Sequence, residues 1–344
     1  MSLKFLEGEN SMYPQKLEGA YTSTIGSFPL EDTEENRKRC MEDLLNVGID
    51  FPNYPQLINM GGQFLEDFVK GSRNCNIDRD EKGGYIITGD RIVSPSSPPG
   101  VEPFSWTMNY LKKKGVERRV KLRAALTGPF TLASYIKIGR KGVYPFNTAL
   151  SDIKLIRDLA EAVSLSCRDV ASRGASMISI DEPVLGMIVG LRVPFKYGEK
   201  EIIEVLNSVR ESCGEIITGT HICGRISPKL AEILLKTNLD FLSHEFHDTP
   251  INFKVYKLKD VMESGKIISV GCISSKNPQI ESVEEILHVM REATKKYGSN
   301  MIFTPDCGFK NLYVEGSREK GYIAAIKKLT NLVEAAKRFR EMTS

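Results

Sequence analysis

Short, nearly continuous apolar runs alternate along this chain with longer stretches whose apolar residues recur every three or four positions. The first kind suits strands buried on both faces of a parallel sheet, and the second suits helices with one apolar face. A first strand is predicted over residues 19–25, ending at Gly26-Ser27-Phe28-Pro29, and a helix over 31–46 with Gly48 as its stop. A second strand covers 48–54, and Pro52 and Pro55 end its pairing because proline donates nothing to a ladder. Residues 57–69 read as a helix. From residue 120 the alternation is regular: strands at 120–126, 176–180, 216–221, 240–243, 267–270 and 301–303. Helices follow at 152–173, 199–212, 228–236, 252–262, 283–297 and 318–340.

Eight strands, each followed by helix, predict an α/β fold, a (β/α)8 TIM barrel. A doubly wound open sheet fits less well, because no Gly-x-Gly-x-x-Gly follows the first strand. The alternation breaks between strands 2 and 3. There, 84–88 and 91–93 read as a hairpin around Gly89-Asp90, the run SPSSPPG excludes regular structure, and a helix resumes over 104–114. The expectation is one domain over residues 1–344 with an irregular insertion at 70–116, whose role as a cover for the site stays open.

Composition narrows the function classes. Of 344 residues, 41% are hydrophobic and 26% charged, ordinary for a soluble globular protein. A net charge of +3 without a run of like charge argues against a nucleic-acid partner. No apolar segment approaches the roughly 20 residues that span a membrane, so no membrane partner is expected. The N-terminus lacks the apolar core of a secretory signal, and seven scattered cysteines fit a reducing cytoplasm better than a disulfide framework. Cys40, Cys75, Cys167 and Cys213 read as small buried hydrophobes.

The chemistry gathers at predicted strand ends. Strand 5 finishes in Thr220-His221-Ile222-Cys223-Gly224, which puts His221 and Cys223 on one face. Alone, a His-x-Cys is more often core packing than a metal site. Glu245 after strand 6 and Cys307 after strand 8 change that, since barrels carry function at the C-terminal ends of their strands. His221, Cys223, Glu245 and Cys307 form an acceptable zinc set, and ligands spread over three strand ends favour a site in the barrel mouth. Separately, Glu245 reads as a carboxylate paired with a cation, and Asp306-Cys307-Gly308 as a turn. His244 and His247 compete as ligands, but alternation turns His244 away from Glu245, so Glu245 is preferred. Ser27, Asp181 and Glu182 stand at further strand ends.

Six motifs run in order from strand 1 to strand 8: TSTIGSFP (22–29), GPFTL (128–132), IDEPVL (180–185), THIC (220–223), SHEF (243–246) and PDCGFK (305–310). On these motifs nearly the whole chain resembles the C-terminal catalytic barrel of cobalamin-independent methionine synthases, in a short single-barrel form. The resemblance implies Zn2+ on His221, Cys223, Glu245 and Cys307. It also implies homocysteine held through its amino-acid part by Ile25, Gly26, Ser27 and Asp181, then activated as a zinc thiolate and methylated to methionine. Zinc strips the proton from a bound thiol, and the thiolate is the nucleophile.

The donor half departs from the family. Tyr135 stands where the family has a tryptophan that stacks on folate, Met187 where it has a glutamate for the pterin, and Lys276 where it has a histidine that protonates the leaving group. Methyltetrahydrofolate is therefore the less expected donor, and methylcobalamin or a methylated corrinoid protein the more expected one. No Asp-x-His-x-x-Gly is present, so a corrinoid would arrive on a partner. Two other readings stay open: alkylation of another thiol such as coenzyme M, which lacks the ammonium that Asp181 would pair, and a non-catalytic zinc-bearing barrel.

Overall fold

The computed structural model describes residues 17–71, 74–190 and 192–343. Its strands are β1 (Ala20–Thr22), β2 (Ile77–Arg79), β3 (Tyr85–Ile87), β4 (Arg123–Thr127), β5 (Ile136–Lys137), β6 (Met177–Asp181), β7 (Ile217–Ile222), β8 (Phe241–His244), β9 (Ile267–Ile273) and β10 (Met301–Pro305). The helices are α1 (Glu34–Val47), α2 (Met60–Lys70), α3 (Glu102–Lys113), α4 (Pro129–Tyr135), α5 (Ile153–Ser172), α6 (Pro183–Ile188), α7 (Glu199–Glu211), α8 (Pro228–Leu235), α9 (Leu258–Ser264), α10 (Val283–Tyr297) and α11 (Arg318–Thr343). Local chemistry marks their ends. Ser282 and Glu285 make a reciprocal capping box at the start of α10, and α1 stops at Gly48, whose φ of 82° suits a residue without a side chain.

Seven strands form one parallel sheet in the order β1-β10-β9-β8-β7-β6-β4. Its two edges meet through the second expected strand. Phe51 bridges Ser23 just past β1, and Asn53 bridges Arg123 of β4. The Phe51 N–H donates to Thr22 O at 2.9 Å, and the Arg123 N–H donates to Pro52 O at 2.8 Å. Eight staves thus close a barrel, the second of them reduced to bridges because Pro52 has a carbonyl but no N–H to offer.

Parallel pairing keeps residues in register on one face, so the barrel fills in layers. Phe51, Met177, Phe241, Ile267 and Ile302 plug its lower half. The Phe241 ring crosses the barrel because its neighbour on β7 is Gly219, where a Cβ would meet the ring at 2.4 Å and the Phe241 carbonyl at 2.2 Å. Above that plug, Asp181, His221 and Ser243 stand in register on β6, β7 and β8, at the C-terminal mouth. Residues of the other parity, such as Ile178, Ile222 and Leu242, face outward into the core beneath the helices.

Three local features differ from the sequence pattern. The partner of β3 is Ile77–Arg79, paired antiparallel, and not residues 91–93. The turn forms upstream of Gly89-Asp90 because the Asp80 carboxylate accepts the N–H groups of Lys82 and Gly84 at 2.9 and 2.8 Å. Arg91 and Ile92 instead bind the buried Asp158 of α5, Ile92 through its N–H at 2.9 Å. β5 then joins β3 to complete a three-stranded sheet beside α2 and α4. The stretch 252–262 divides into a 3-10 turn at Pro250–Lys254 and α9. Two short helices, α4 and α6, start directly after β4 and β6 with proline in their first turn. Among the described residues no helix is long and apolar enough to cross a membrane.

Candidate metal centre

His221 is the inward residue at the end of β7, and two residues on, Cys223 points the same way. His221 Nε2 lies 3.0 Å from Cys223 Sγ, and Cys223 Sγ lies 2.9 Å from Cys307 Sγ, in the loop after β10. One ligand atom from each of the three falls within 4.8 Å of the others. Ser243 Oγ sits 3.1 Å from His221 Nδ1, which occupies that nitrogen and leaves Nε2 on the sulfur side. The two thiols titrate as a pair. Hydrogen bonding with Cys223, then with His221, pulls Cys307 well below the usual thiol range, while Cys223 beside it is pushed well above. Burial alone would discharge His221, but the Cys307 sulfur and Asp181 outweigh it and raise its pKa.

Glu245, the fourth candidate, lies outside this cluster. It is buried at the end of β8, and both its oxygens are 3.3 Å from Lys276 Nζ, with Thr249 Oγ1 donating to Oε2 at 3.2 Å. Lys276 is 63% exposed. Burial works against its charge most strongly, but Glu245, Asp248 and Cys307 together raise its pKa above the ordinary lysine value. His244 turns outward: its Nε2 is 2.8 Å from Tyr256 OH and its Nδ1 3.2 Å from Ile222 O, and burial lowers its pKa to about 3. His247, Asp248 and Asp306 make a second cluster of possible ligands. Its Asp306 carboxylate is already filled, accepting the N–H groups of Phe246, His247 and Asp248 at 2.9, 3.0 and 2.6 Å. Asp306 thereby fixes the loop that leaves Glu245.

Asp181 and Glu182 are sequence neighbours with separate roles. Asp181 faces the mouth beside His221 and takes a hydrogen bond from Ser179 Oγ. Burial raises its pKa against the opposing influence of His221 and Arg123. Glu182 points away and caps α4, accepting Phe130 N–H at 2.9 Å and both Thr131 N–H and Oγ1 at 2.7 Å. Burial lifts its pKa to about 8. Gly128 gives way to it, since a Cβ there would meet the Glu182 carboxyl at 2.3 Å.

The loop after β1 closes the far side. Gly26, at φ 129°, lies against Asn53 and Gln56, where a Cβ would meet their side chains at 2.0 and 2.3 Å. Ser27 touches the Cys307 loop: its carbonyl accepts Phe309 N–H at 2.7 Å, and a Cβ on Gly308 would meet Ser27 Oγ at 2.0 Å. Ile25 is buried, and its carbonyl accepts from Asn53 Nδ2 at 3.3 Å. Of these three residues Ser27 reaches the Cys307 loop, while Ile25 and Gly26 lie against Asn53 and Gln56. Tyr135, at the end of α4, is 41% exposed and lies over Gly61.

One residue escaped the motif reading. Arg123 is fully buried in the barrel wall; Nη1 donates to Thr24 O at 3.0 Å, while Nε and Nη2 find no hydrogen-bond partner among the described residues. Its guanidinium lies 5.7 Å from the Phe241 ring centre, and the Asp181 charge opposes the loss of ionisation that burial favours. A cation inside the apolar stretch that forms β4 was the available signal.

Comparison with known proteins places these features. A family model described as the catalytic domain of cobalamin-independent synthase matches residues 100–338. The methionine synthase of Methanothermobacter marburgensis is 26% identical over 329 residues, covering 95% of each chain. That of Methanocaldococcus jannaschii is 25% identical, covering 92% of this chain and 98% of its own. Among solved structures, a B12-independent methionine synthase from Shewanella sp. W3-18-1 in complex with selenomethionine has a TM-score of 0.68 at 18% identity, covering 94% and 98% of the two chains. A methyltransferase from Methanosarcina mazei has a TM-score of 0.58 at 17% identity, covering 88% and 84%. At such identities the structures speak for the fold alone, whereas the family model spans more than half of the sequence. The chain belongs to the cobalamin-independent methionine synthase family, through its catalytic domain.

Proposed function

We propose that this methyltransferase converts homocysteine to methionine at a zinc centre held by His221, Cys223, Cys307 and Glu245. The observation that carries the reading is the convergence of one imidazole nitrogen and two thiols within 4.8 Å at the barrel mouth, next to Asp181. That donor set suits zinc, and the Ser243 contact on His221 Nδ1 is the outer support that a ligating histidine needs. Zinc bound there supplies a site at which the homocysteine thiol loses its proton near neutral pH. The chain's own residues do the rest. Asp181 takes the substrate ammonium, and the loop Ile25–Ser27 lies where it can hold the amino-acid carboxylate. The reading treats residues 1–344 as one domain with 70–116 inserted.

Glu245 has two claimants, the metal and Lys276. Because Lys276 is largely exposed, its ion pair contributes only about 0.2–1 kcal/mol. Lys276→Met is therefore expected to raise zinc affinity by about 1.4- to fivefold, read by competition with a chromogenic chelator. Unchanged or weaker affinity would count against Glu245 as a ligand that Lys276 restrains.

On the donor side, the reading favours methylcobalamin or a methylated corrinoid protein over free methyltetrahydrofolate. The amine leaving group of a folate donor must be protonated as the methyl departs, and a positioned general acid typically contributes 10²–10⁴-fold. Lys276 stands in that place, and an ordinary lysine, with a pKa of about 10.4, already holds its proton too tightly to serve at neutral pH. A methyl group leaving cobalt needs no proton. In assays with homocysteine, turnover from methylcobalamin or a methylcorrinoid protein is expected to exceed that from methyltetrahydrofolate by at least about tenfold. Efficient turnover with methyltetrahydrofolate alone would refute this choice of donor.

A further inference from the structure

The mouth of the barrel is flanked on the α4–α6 side by apolar side chains that stand out into solvent. Tyr135 (41% exposed), Val143 (74%), Tyr144 (53%), Phe146 (49%) and Met187 (54%) all lie on α4, α6 or the loop after β5. Tyr135 and Tyr144 are close enough to influence each other electrostatically, and Phe146 meets Phe195 of the loop after α6 edge-on at 5.5 Å. This surface adjoins the strand that carries His221. Gly186 of α6 packs on β7, where an added Cβ would stand 3.2 Å from Ile222 Cγ2 and 3.4 Å from the Cys223 carbonyl.

The segments of this rim contribute charge of one sign, although two of their lysines, Lys137 and Lys229, are paired with Asp80 and Glu199. Between Gly128 and Ser151, between Pro183 and Gly198, and between Ile216 and Ala231 there is no carboxylate. The exposed Arg140, Lys141, Arg192, Lys196 and Arg225 fall in these stretches and form no ion pair among the described residues. Aromatic side chains and arginine are the residue types enriched at protein interfaces, and an apolar ridge rimmed by charge marks an interaction surface. Side chains as exposed as Val143 and Tyr144 project outward and need a partner with a broad surface of its own.

We propose that this rim is the docking face for a protein that carries the methyl donor and surrounds it with an acidic surface. The proposal rests on the reading that the methyl group arrives on a corrinoid held by another protein. Charge complementarity selects the occupant: a cationic rim draws in an acidic face and fixes its orientation, while the aromatic ridge supplies the contact. Docking there sets the donor against α6, the helix packed on the strand that leads to Cys223.

The test uses the zinc-loaded full chain, homocysteine, and two forms of one donor: free methylcobalamin and a methylcobalamin-loaded corrinoid protein. In an Arg140→Glu/Lys141→Glu variant, kcat/KM with the protein-borne donor is expected to fall by at least about tenfold, and its salt dependence to flatten. Transfer from free methylcobalamin is expected to stay within about twofold. Tyr144→Ser, which changes no charge, is expected to lower transfer from the carrier and keep its salt dependence. Wild-type and charge-reversed chains that use the carrier equally well would overturn the docking face and leave the donor reading standing. Equal losses with both donors would also overturn it. A wild-type chain inactive with both corrinoid forms would bring down the donor reading itself, and the docking face with it.

Discussion

Cys307→Ser and His221→Ala are each expected to abolish stoichiometric zinc binding and methyl transfer while the barrel stays folded. Both side chains belong to the three-atom cluster at the mouth, and both sit at the C-terminal ends of strands, away from the apolar plug that holds the staves together. Losing an outer partner of a metal ligand typically costs 10–100-fold in affinity or activity, so losing a ligand itself is expected to cost more than about a hundredfold. Neither substitution opens a large apolar cavity, and neither residue anchors a helix, so circular dichroism and the unfolding midpoint of the metal-free protein should change little. The decisive measurement is metal content by atomic emission beside turnover with homocysteine. Either variant keeping one zinc per chain and near-normal turnover would refute the ligand assignment.

The second large effect is expected at Asp181. Asp181→Asn should lower kcat/KM for homocysteine by about ten- to a hundredfold while leaving zinc content intact. A charge-assisted bond to an ammonium in a closed site contributes about 1.5–3 kcal/mol, and each 1.36 kcal/mol is a factor of ten. Asparagine keeps the shape and can still accept from Ser179, so the site survives with its charge removed. The change has a second consequence, because Arg123 lies fully buried with two nitrogens unpartnered among the described residues and draws electrostatic support from Asp181. The variant should therefore also unfold more readily than wild type. Homocysteine kinetics indistinguishable from wild type would remove Asp181 from the substrate pocket and reopen the reading in which a thiol without an ammonium is methylated.

Much of this could be read from the chain, and the limits of that reading have physical causes. The alternation of apolar runs with helical periodicity reports burial, which is local in sequence, and it led to the barrel and to the strand ends where His221, Cys223, Asp181 and Cys307 lie. Alternation along a strand was enough to turn His244 away from Glu245, because successive side chains of a strand take opposite faces. The sequence could not show that the second stave is held by bridges alone. That depends on Pro52 meeting partners from β1 and β4, about 30 and 70 residues away. Asp181 and Glu182 look equivalent as adjacent carboxylates. Only the approach of Phe130 and Thr131 from the neighbouring stave makes Glu182 a helix cap and leaves Asp181 to the mouth. Asp306 likewise resembles a ligand until three N–H groups from the loop after β8 converge on it. Glu245 is placed at the mouth by its strand, but its pairing with Lys276 is set by the loop after β9, a different stave of the barrel. Periodicity along one element determines which way a side chain points; which group it then meets is decided by strand register and loop paths, and those exist only once distant segments have packed together.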